Sequence, residues 1–277
     1  MKSKKNIAII ILYFGELPWY FDYFIHTCRY NPSVDFFLIT DDSAYDDKVP
    51  KNINIIHKSF IETKKIIGKK LKLKVDFESA YKLCDFKPAY GYIFSDIVQG
   101  YDFWGHADID IIFGDIRSFI TTKLLNKFDT ISLRNDFITG YFQLFKNTKK
   151  VNTLFMQSKD YKKVFTSSKH YCFDETNFTF KEFNQEIHYS VIKSEIESMT
   201  HVIMRLHEQK YIHAHFDFFV IEGAPGKLKW DKGKLIYKNE IEAVLYHLIL
   251  LKNVYKPKKK IMKIPDTFYI SPTRIYT

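Results

Sequence analysis

The chain predicts an α/β fold: a single domain with a central, mostly parallel sheet flanked by helices. The first observation is Ile7 to Tyr13, an unbroken apolar run of the kind expected for a parallel strand covered on both faces. The second is the segment just after it. Phe14-Gly15-Glu16-Leu17-Pro18 reads as a turn, and Pro18 suits the first position of a helix that runs to about Arg29 and stops at Asn31-Pro32. The third is the return to apolar runs at Val34 to Thr40, ending at Asp41-Asp42, and at Ile53 to His57. This β-α-β-β order is the opening of an open parallel sheet, where ligands sit beyond the carboxyl ends of the strands.

Beyond that opening, Ser59 to Lys82 reads as helical and basic, and Lys87-Pro88 opens another helix through Phe94. Tyr101 to Ala107 leads into the Asp108 and Asp110 pair and is unusually apolar for a surface loop, and Ile116 to Leu125 reads as a short helix. Thr130 to Leu133 and Tyr141 to Phe145 read as strands, and a helix begins at Val151 to Phe155. His170 to Asn184 is polar, aromatic and irregular. A short helix starts near Thr200, His213 to Ile221 reads as a strand, and Asp231-Lys232-Gly233 signals a hairpin within Lys229 to Tyr237. Glu240 to Leu251 is apolar without a period that separates strand from helix. No repeat, low-complexity linker or domain boundary interrupts the 277 residues.

Composition narrows the chemistry. There is no GxGxxG and no GKS or GKT loop, which argues against a dinucleotide site and a P-loop. Cys28, Cys84 and Cys172 are far apart, odd in number and without a CxxC pair; this disfavours a disulfide framework or a cysteine zinc site and suits a reducing, cytoplasmic compartment. The initial Met-Lys-Ser-Lys-Lys-Asn and Ile7 to Tyr13 imitate a signal peptide, but the run is short and meets Gly15-Glu16 at once, so it reads as a buried strand. No apolar run is long enough to span a bilayer. The formal charge of +10 predicts phosphorylated, nucleic-acid or membrane partners. Lys64, Lys65, Lys69, Lys70, Lys72 and Lys74 form one basic cluster, and Lys252, Lys256, Lys258, Lys259, Lys260 and Lys263 a second. Both read as solvated surface, or the second as a peripheral contact with an anionic membrane.

The densest chemistry lies at Tyr101 to Asp115. Along an extended chain Asp108 and Asp110 point to one side, with Ile109 buried behind them. Two carboxylates embedded in aromatic and aliphatic sequence need a partner, and a hard divalent cation is a common one. Such a cation would hold a diphosphate. Lys82 to Tyr90 (Lys-Leu-Cys-Asp-Phe-Lys-Pro-Ala-Tyr) adds Asp85 and Lys87, read as contacts to a sugar or phosphate or else as a cap and a solvated lysine.

The parallel-sheet opening, Lys82 to Tyr90 and Phe103 to Asp115 together resemble the GT-A glycosyltransferases of bacterial surface-polysaccharide synthesis, in particular an uncharacterised DxD-containing group. The resemblance covers most of the chain and is strongest from Lys82 to Asp115. It implies a GT-A-like, Rossmann-like domain, with residues 1–115 as the nucleotide-sugar-binding half and 116–277 as the acceptor-binding half. It implies that Asp110 ligates Mn2+ or Mg2+, that Asp108 contacts the metal or ribose, and that a C-terminal histidine followed by a basic residue completes the site. His247 and Lys252 match that pattern, with His213 and His215 as competitors and a core histidine as the plain alternative. Tyr13, Phe14, Gly15, Asp41 and Asp42 would line the nucleoside pocket, and Ala107 sits with the pair in the donor set. Physical reasoning concurs, since a departing nucleoside diphosphate needs its charge neutralised.

On the acceptor side, Gly140 permits close approach of a ligand to the backbone, and Tyr141 or Phe142 offers a ring for a sugar, although Phe142, Leu144 and Phe145 read first as a structural strand. Asp174 and Glu175 read as acceptor-hydroxyl ligands or a general base, with a helix cap by Asp174 as the alternative. The expected partners are a nucleotide-sugar donor, with a UDP-sugar foremost, and a glycan or lipid-linked acceptor, with no nucleic acid. Two other classes compete: a metal-dependent nucleotidyl- or phosphotransferase, for which Asp115 is the candidate third carboxylate, and a basic, aromatic protein that binds single-stranded nucleic acid.

Overall fold

Ile7, Ile9 and Ile11 pack into one hydrophobic core while Ala8 and Ile10 pack into another. The first strand is therefore covered on both faces, and its uninterrupted apolar run is the signature of that position. The computed structural model describes residues 5–257 and 263–277.

Strands β1 (Ile7–Leu12), β2 (Val34–Thr40), β3 (Ile53–His57) and β4 (Phe103–Ala107) form the parallel part of a seven-stranded sheet. Its order is β3-β2-β1-β4-β7-β6-β8, completed by β6 (Thr130–Ser132), β7 (Phe142–Lys146) and β8 (Ala214–Phe216). Strand β7 is antiparallel to both β4 and β6, and β8 is parallel to β6, so β7 alone runs against the other strands of this sheet. Both halves of the chain thus contribute to one sheet. Helix α1 (Phe21–Arg29) begins three residues after Pro18, whose carbonyl accepts from the Phe21 N–H. Helix α2 (Phe60–Leu71) starts at a Ser59/Glu62 capping box and ends at left-handed Lys72, well short of Lys82. The Lys82–Pro88 segment is a 3-10 helix spanning Ala80–Ala89, continued by a helical turn at Tyr90–Ile93.

Two smaller sheets close one side. β5 (Ile111–Phe113) pairs antiparallel with β13 (Leu245–His247), which pairs parallel with β9 (Val220–Ile221). A five-stranded sheet has the order β12-β11-β10-β14-β15, from β10 (Leu228–Asp231), β11 (Lys234–Tyr237), β12 (Ile241–Ala243), β14 (Thr267–Ile270) and β15 (Ile275–Tyr276). Trp230 anchors it by donating from Nε1 to the Phe113 carbonyl at 2.8 Å.

Several sequence expectations are corrected here. His213 to Ile221 is split between two sheets, because β8 extends the central sheet and β9 joins β13. The apolar stretch from Glu240 resolves into β12, β13 and a helical turn beginning at Leu251. Ile116 to Leu125 breaks at Ile120, giving helices Ile116–Phe119 and Thr122–Lys127. Among the described residues no helix is long and apolar enough to cross a membrane. Lys258, Lys259 and Lys260 of the second basic cluster lie outside the described residues.

Candidate active site

The chain leaves β4 at Ala107, bends through Ile109 and Asp110, and enters β5. Two backbone bonds fix this corner: the Asp108 N–H donates to the Tyr141 carbonyl at 3.0 Å, and the Leu248 N–H to the Asp110 carbonyl at 2.9 Å. Ile109 is buried, as the sequence predicts, although the backbone is bent rather than extended. The β5–β13 register sets His247 opposite Ile111, one residue beyond Asp110. One ligand atom from each of Asp108, Asp110 and His247 lies within 4.8 Å of the others.

His247 Nε2 is 3.3 Å from Asp110 Oδ2, and the Lys252 ammonium donates to the same oxygen at 2.6 Å. Burial pushes the Asp110 carboxyl up, but the hydrogen bond and charge of His247, then Lys252, outweigh it and hold it well below the usual carboxylate range. Burial lowers the basicity of His247, and the hydrogen bond to Asp110 and the nearby carboxylates reverse that, leaving its pKa raised. The ring also lies 4.5 Å from the Tyr141 ring, and its buried Nδ1 has no hydrogen-bond partner. Two carboxylates and an imidazole with a spare nitrogen suit a divalent cation, and a lysine ammonium already supplies positive charge at the same carboxylate.

Lys87 forms the other wall. Its Nζ donates to Asp108 Oδ1 at 2.6 Å and to the Gly140 carbonyl at 2.9 Å, and lies 3.8 Å from Asp174 Oδ2. Burial works against its charge, but Asp108 foremost raises its pKa well above that of a free lysine. His106, which the sequence marks only as a flanking residue, lies behind it with Nδ1 at 3.0 Å from the Gly140 carbonyl. Burial, then Lys87, pulls this imidazole well below its ordinary range, so it is neutral.

Gly140 brings the acidic loop into the site. Its N–H donates to Glu175 Oε1 at 2.7 Å, and a Cβ at this position would sit 2.4 Å from Asp174 Oδ2. No side chain fits there. Burial raises the carboxyl pKa of both residues, in spite of Lys87 beside Asp174 and the Gly140 N–H on Glu175. Asp174, Glu175, Lys87, Asp108, Asp110 and His247 all line one cavity of about 380 Å³, together with Lys252, Tyr13, Phe14, Tyr20 and Tyr141.

Other sequence candidates fall elsewhere. Asp85 is fully buried and set back from the cavity; its carboxylate pairs with Lys82 at 2.8 Å and accepts from the N–H groups of Tyr171 (2.9 Å) and Phe173 (2.8 Å). It holds the acidic loop instead of reaching a sugar. Gly15, Asp41 and Asp42 fix the loop after β1, outside the cavity lining: Asp41 accepts from the Gly15 N–H and Asp42 from the Leu17 N–H, each at 2.8 Å. Ala107 is buried in the core and so is Phe142, which rules out Phe142 as a ring platform. Asp115 caps the Ile116–Phe119 turn through the N–H groups of Arg117 and Ser118, so it is not a third site carboxylate. His215 packs on Phe128, and His213 is exposed; neither joins Asp108 and Asp110. Lys252 turns into the site, which removes it from the basic surface cluster.

No curated protein matches the chain. Among solved structures, the apo form of mouse xyloside xylosyltransferase 1 aligns with a TM-score of 0.46 at 7% identity over 88% of this chain and 97% of that one. The galactosyltransferase LgtC, in complex with donor and acceptor sugar analogs, aligns with a TM-score of 0.38 at 9% identity over 78% and 75%. The glycosyltransferase GlyE of Streptococcus pneumoniae TIGR4 aligns with a TM-score of 0.36 at 10% identity over 77% and 45%. The family described as "Family of unknown function (DUF6625)" matches residues 9–277, nearly the whole chain, and the protein belongs to that family.

Proposed function

We propose that the chain is a metal-dependent glycosyltransferase that moves a sugar from a nucleotide-diphosphate donor to a hydroxyl of a glycan or lipid-linked oligosaccharide, in surface-polysaccharide synthesis. The observation that carries the reading is the convergence of Asp108, Asp110 and His247 on one wall of a cavity whose other residues include Lys87, Asp174 and Glu175. Asp108, Asp110 and His247 would hold Mn2+ or Mg2+, which when bound supplies Lewis-acid neutralisation of a diphosphate.

The side chains themselves account for the rest. Lys252 adds a second positive charge at the Asp110 edge, where phosphate oxygens would gather. Tyr13, Phe14 and Tyr20 offer aromatic faces for a nucleobase, with a UDP-sugar the expected donor. Lys87 orients Asp108 and, through the Gly140 carbonyl, the turn that meets the acidic loop. Asp174 and Glu175, whose carboxyl pKa values burial raises, are suited to accept a proton from an incoming hydroxyl, because a raised pKa makes a carboxylate the stronger base. The phosphotransferase alternative loses its third carboxylate to the Asp115 cap. A nucleic-acid surface would have to tolerate four carboxylates in its centre.

Thermal stability with UDP, GDP or CMP, with and without Mn2+, tests the reading. One nucleotide is expected to raise the melting temperature only when the metal is present, and a panel of nucleotide sugars then identifies the hydrolysed donor. Tight, salt-sensitive binding to oligonucleotides with no nucleotide response would replace the reading with the nucleic-acid one.

A further inference from the structure

Two large aromatic side chains that flank the cavity-lining His170 face solvent. Tyr81 is 67% exposed and lines the cavity; Phe178 is 57% exposed. Between them stands His170, also a lining residue, with its ring 4.6 Å from Tyr81 and 5.7 Å from Phe178. Its Nδ1 lies 3.2 Å from buried Asp85 Oδ1, off line for a hydrogen bond. This fixes the side of the ring that faces inward.

Phe178 is displayed at a cost. It has φ +64° and follows Asn177 at φ +57°, a left-handed pair in which neither residue is glycine. Asn177 locks the turn: its Oδ1 accepts from the Glu195 N–H at 2.7 Å, and its Nδ2 donates to the Tyr171 carbonyl at 2.8 Å. A phenyl ring carried outward on an anchored turn, three residues after the acidic pair, contributes little to the core. The Tyr81 and Phe178 rings stand steeply to the His170 ring, at 67° and 82°, and both remain largely open to solvent.

Pyranose rings present a face of C–H groups that packs on aromatic rings, and an imidazole nitrogen can hydrogen-bond a hydroxyl. We infer that Tyr81, His170 and Phe178 form a stacking subsite for a sugar ring of the acceptor, beside Asp174 and Glu175; the inference rests on the glycosyltransferase reading and names its acceptor class as a carbohydrate.

The test uses the full chain with Mn2+ and the nucleotide that stabilises it, on a printed array of mono- to tetrasaccharides. Wild type is expected to bind a subset of these glycans. Tyr81→Ala and Phe178→Asn, the latter chosen because asparagine tolerates the left-handed turn, each weaken that binding about tenfold, whereas Tyr81→Phe retains it. Both weakened variants melt no lower than wild type, Phe178→Asn slightly higher because the left-handed turn is relieved, and both keep the nucleotide-dependent shift. If they bind glycans like wild type, or if wild type responds to nucleotide yet binds no glycan, the subsite is overturned while the transferase reading stands. If wild type responds to no nucleotide, both fall together.

Discussion

At Asp110 one carboxylate oxygen is shared by His247 and Lys252, and the residue is almost fully buried. The charge, not the shape, is what the site uses. Asp110→Asn keeps the volume and removes the charge, and is expected to abolish Mn2+-dependent stabilisation by nucleotide and to lower turnover by about 100-fold or more. The melting temperature without ligands should also fall at neutral pH, because a carboxyl held below its ordinary range stabilises the folded chain and buried His247 loses its partner, although partly exposed Lys252 can turn to water. Asp174 is the opposite case. Burial raises its pKa, so its ionised form at neutral pH is a burden on the fold. For a raised carboxyl pKa the stabilising contribution is complete below the unfolded value and is lost as pH rises through the folded one. Asp174→Asn should therefore gain about 1 kcal/mol of stability at neutral pH, lose that gain in acid near the ordinary carboxyl pKa, and lose transfer activity.

The elements act mainly by fixing where these side chains meet. The β5–β13 register brings Lys252 to Asp110 across 142 residues of sequence. On the other wall, the 3-10 helix Ala80–Ala89 sends Lys87 into the cavity and Asp85 away from it. Asp85 then fastens residues 170–173 through Tyr171, Phe173 and His170. Asp85→Asn would strand the buried Lys82 ammonium and is expected to cost about 3–5 kcal/mol in urea unfolding. It should also reduce transfer, because the acidic loop would lose its anchor. The apolar strands and the carboxylate pair were legible because they are local patterns. The inward turn of Asp85 was not, since a carboxylate beside a helix start looks the same in sequence whether it faces a ligand or a buried lysine.

Over the whole molecule, the five-stranded sheet and α1 enclose His26, which lies 5.0 Å from the Trp230 ring. Burial foremost lowers its pKa to about 4 from an ordinary 6.5, although Asp266 lies 4.0 Å away. The unfolded chain then binds a proton that the folded one resists, so this contribution to stability is full above pH 6.5 and is lost as pH falls toward 4. His26→Gln should flatten the fall in melting temperature across that window and leave nucleotide binding unchanged. Strands from both halves of the sequence share the central sheet.

The sequence alone determined the parallel opening, because a strand covered on both faces must be apolar at every position, and it marked Asp108 and Asp110, because charges within apolar runs stand out locally, whereas His247 entered only through the family resemblance, beside His213 and His215. Only the tertiary structure decided which of the remaining polar residues face the cavity. It selected Lys87, Asp174 and Glu175 around Gly140 and turned Asp85, Asp115 and His215 to capping and packing. The physical reason is that a buried carboxylate takes whichever partner the fold presents, and those partners come from strands and loops far apart along the chain.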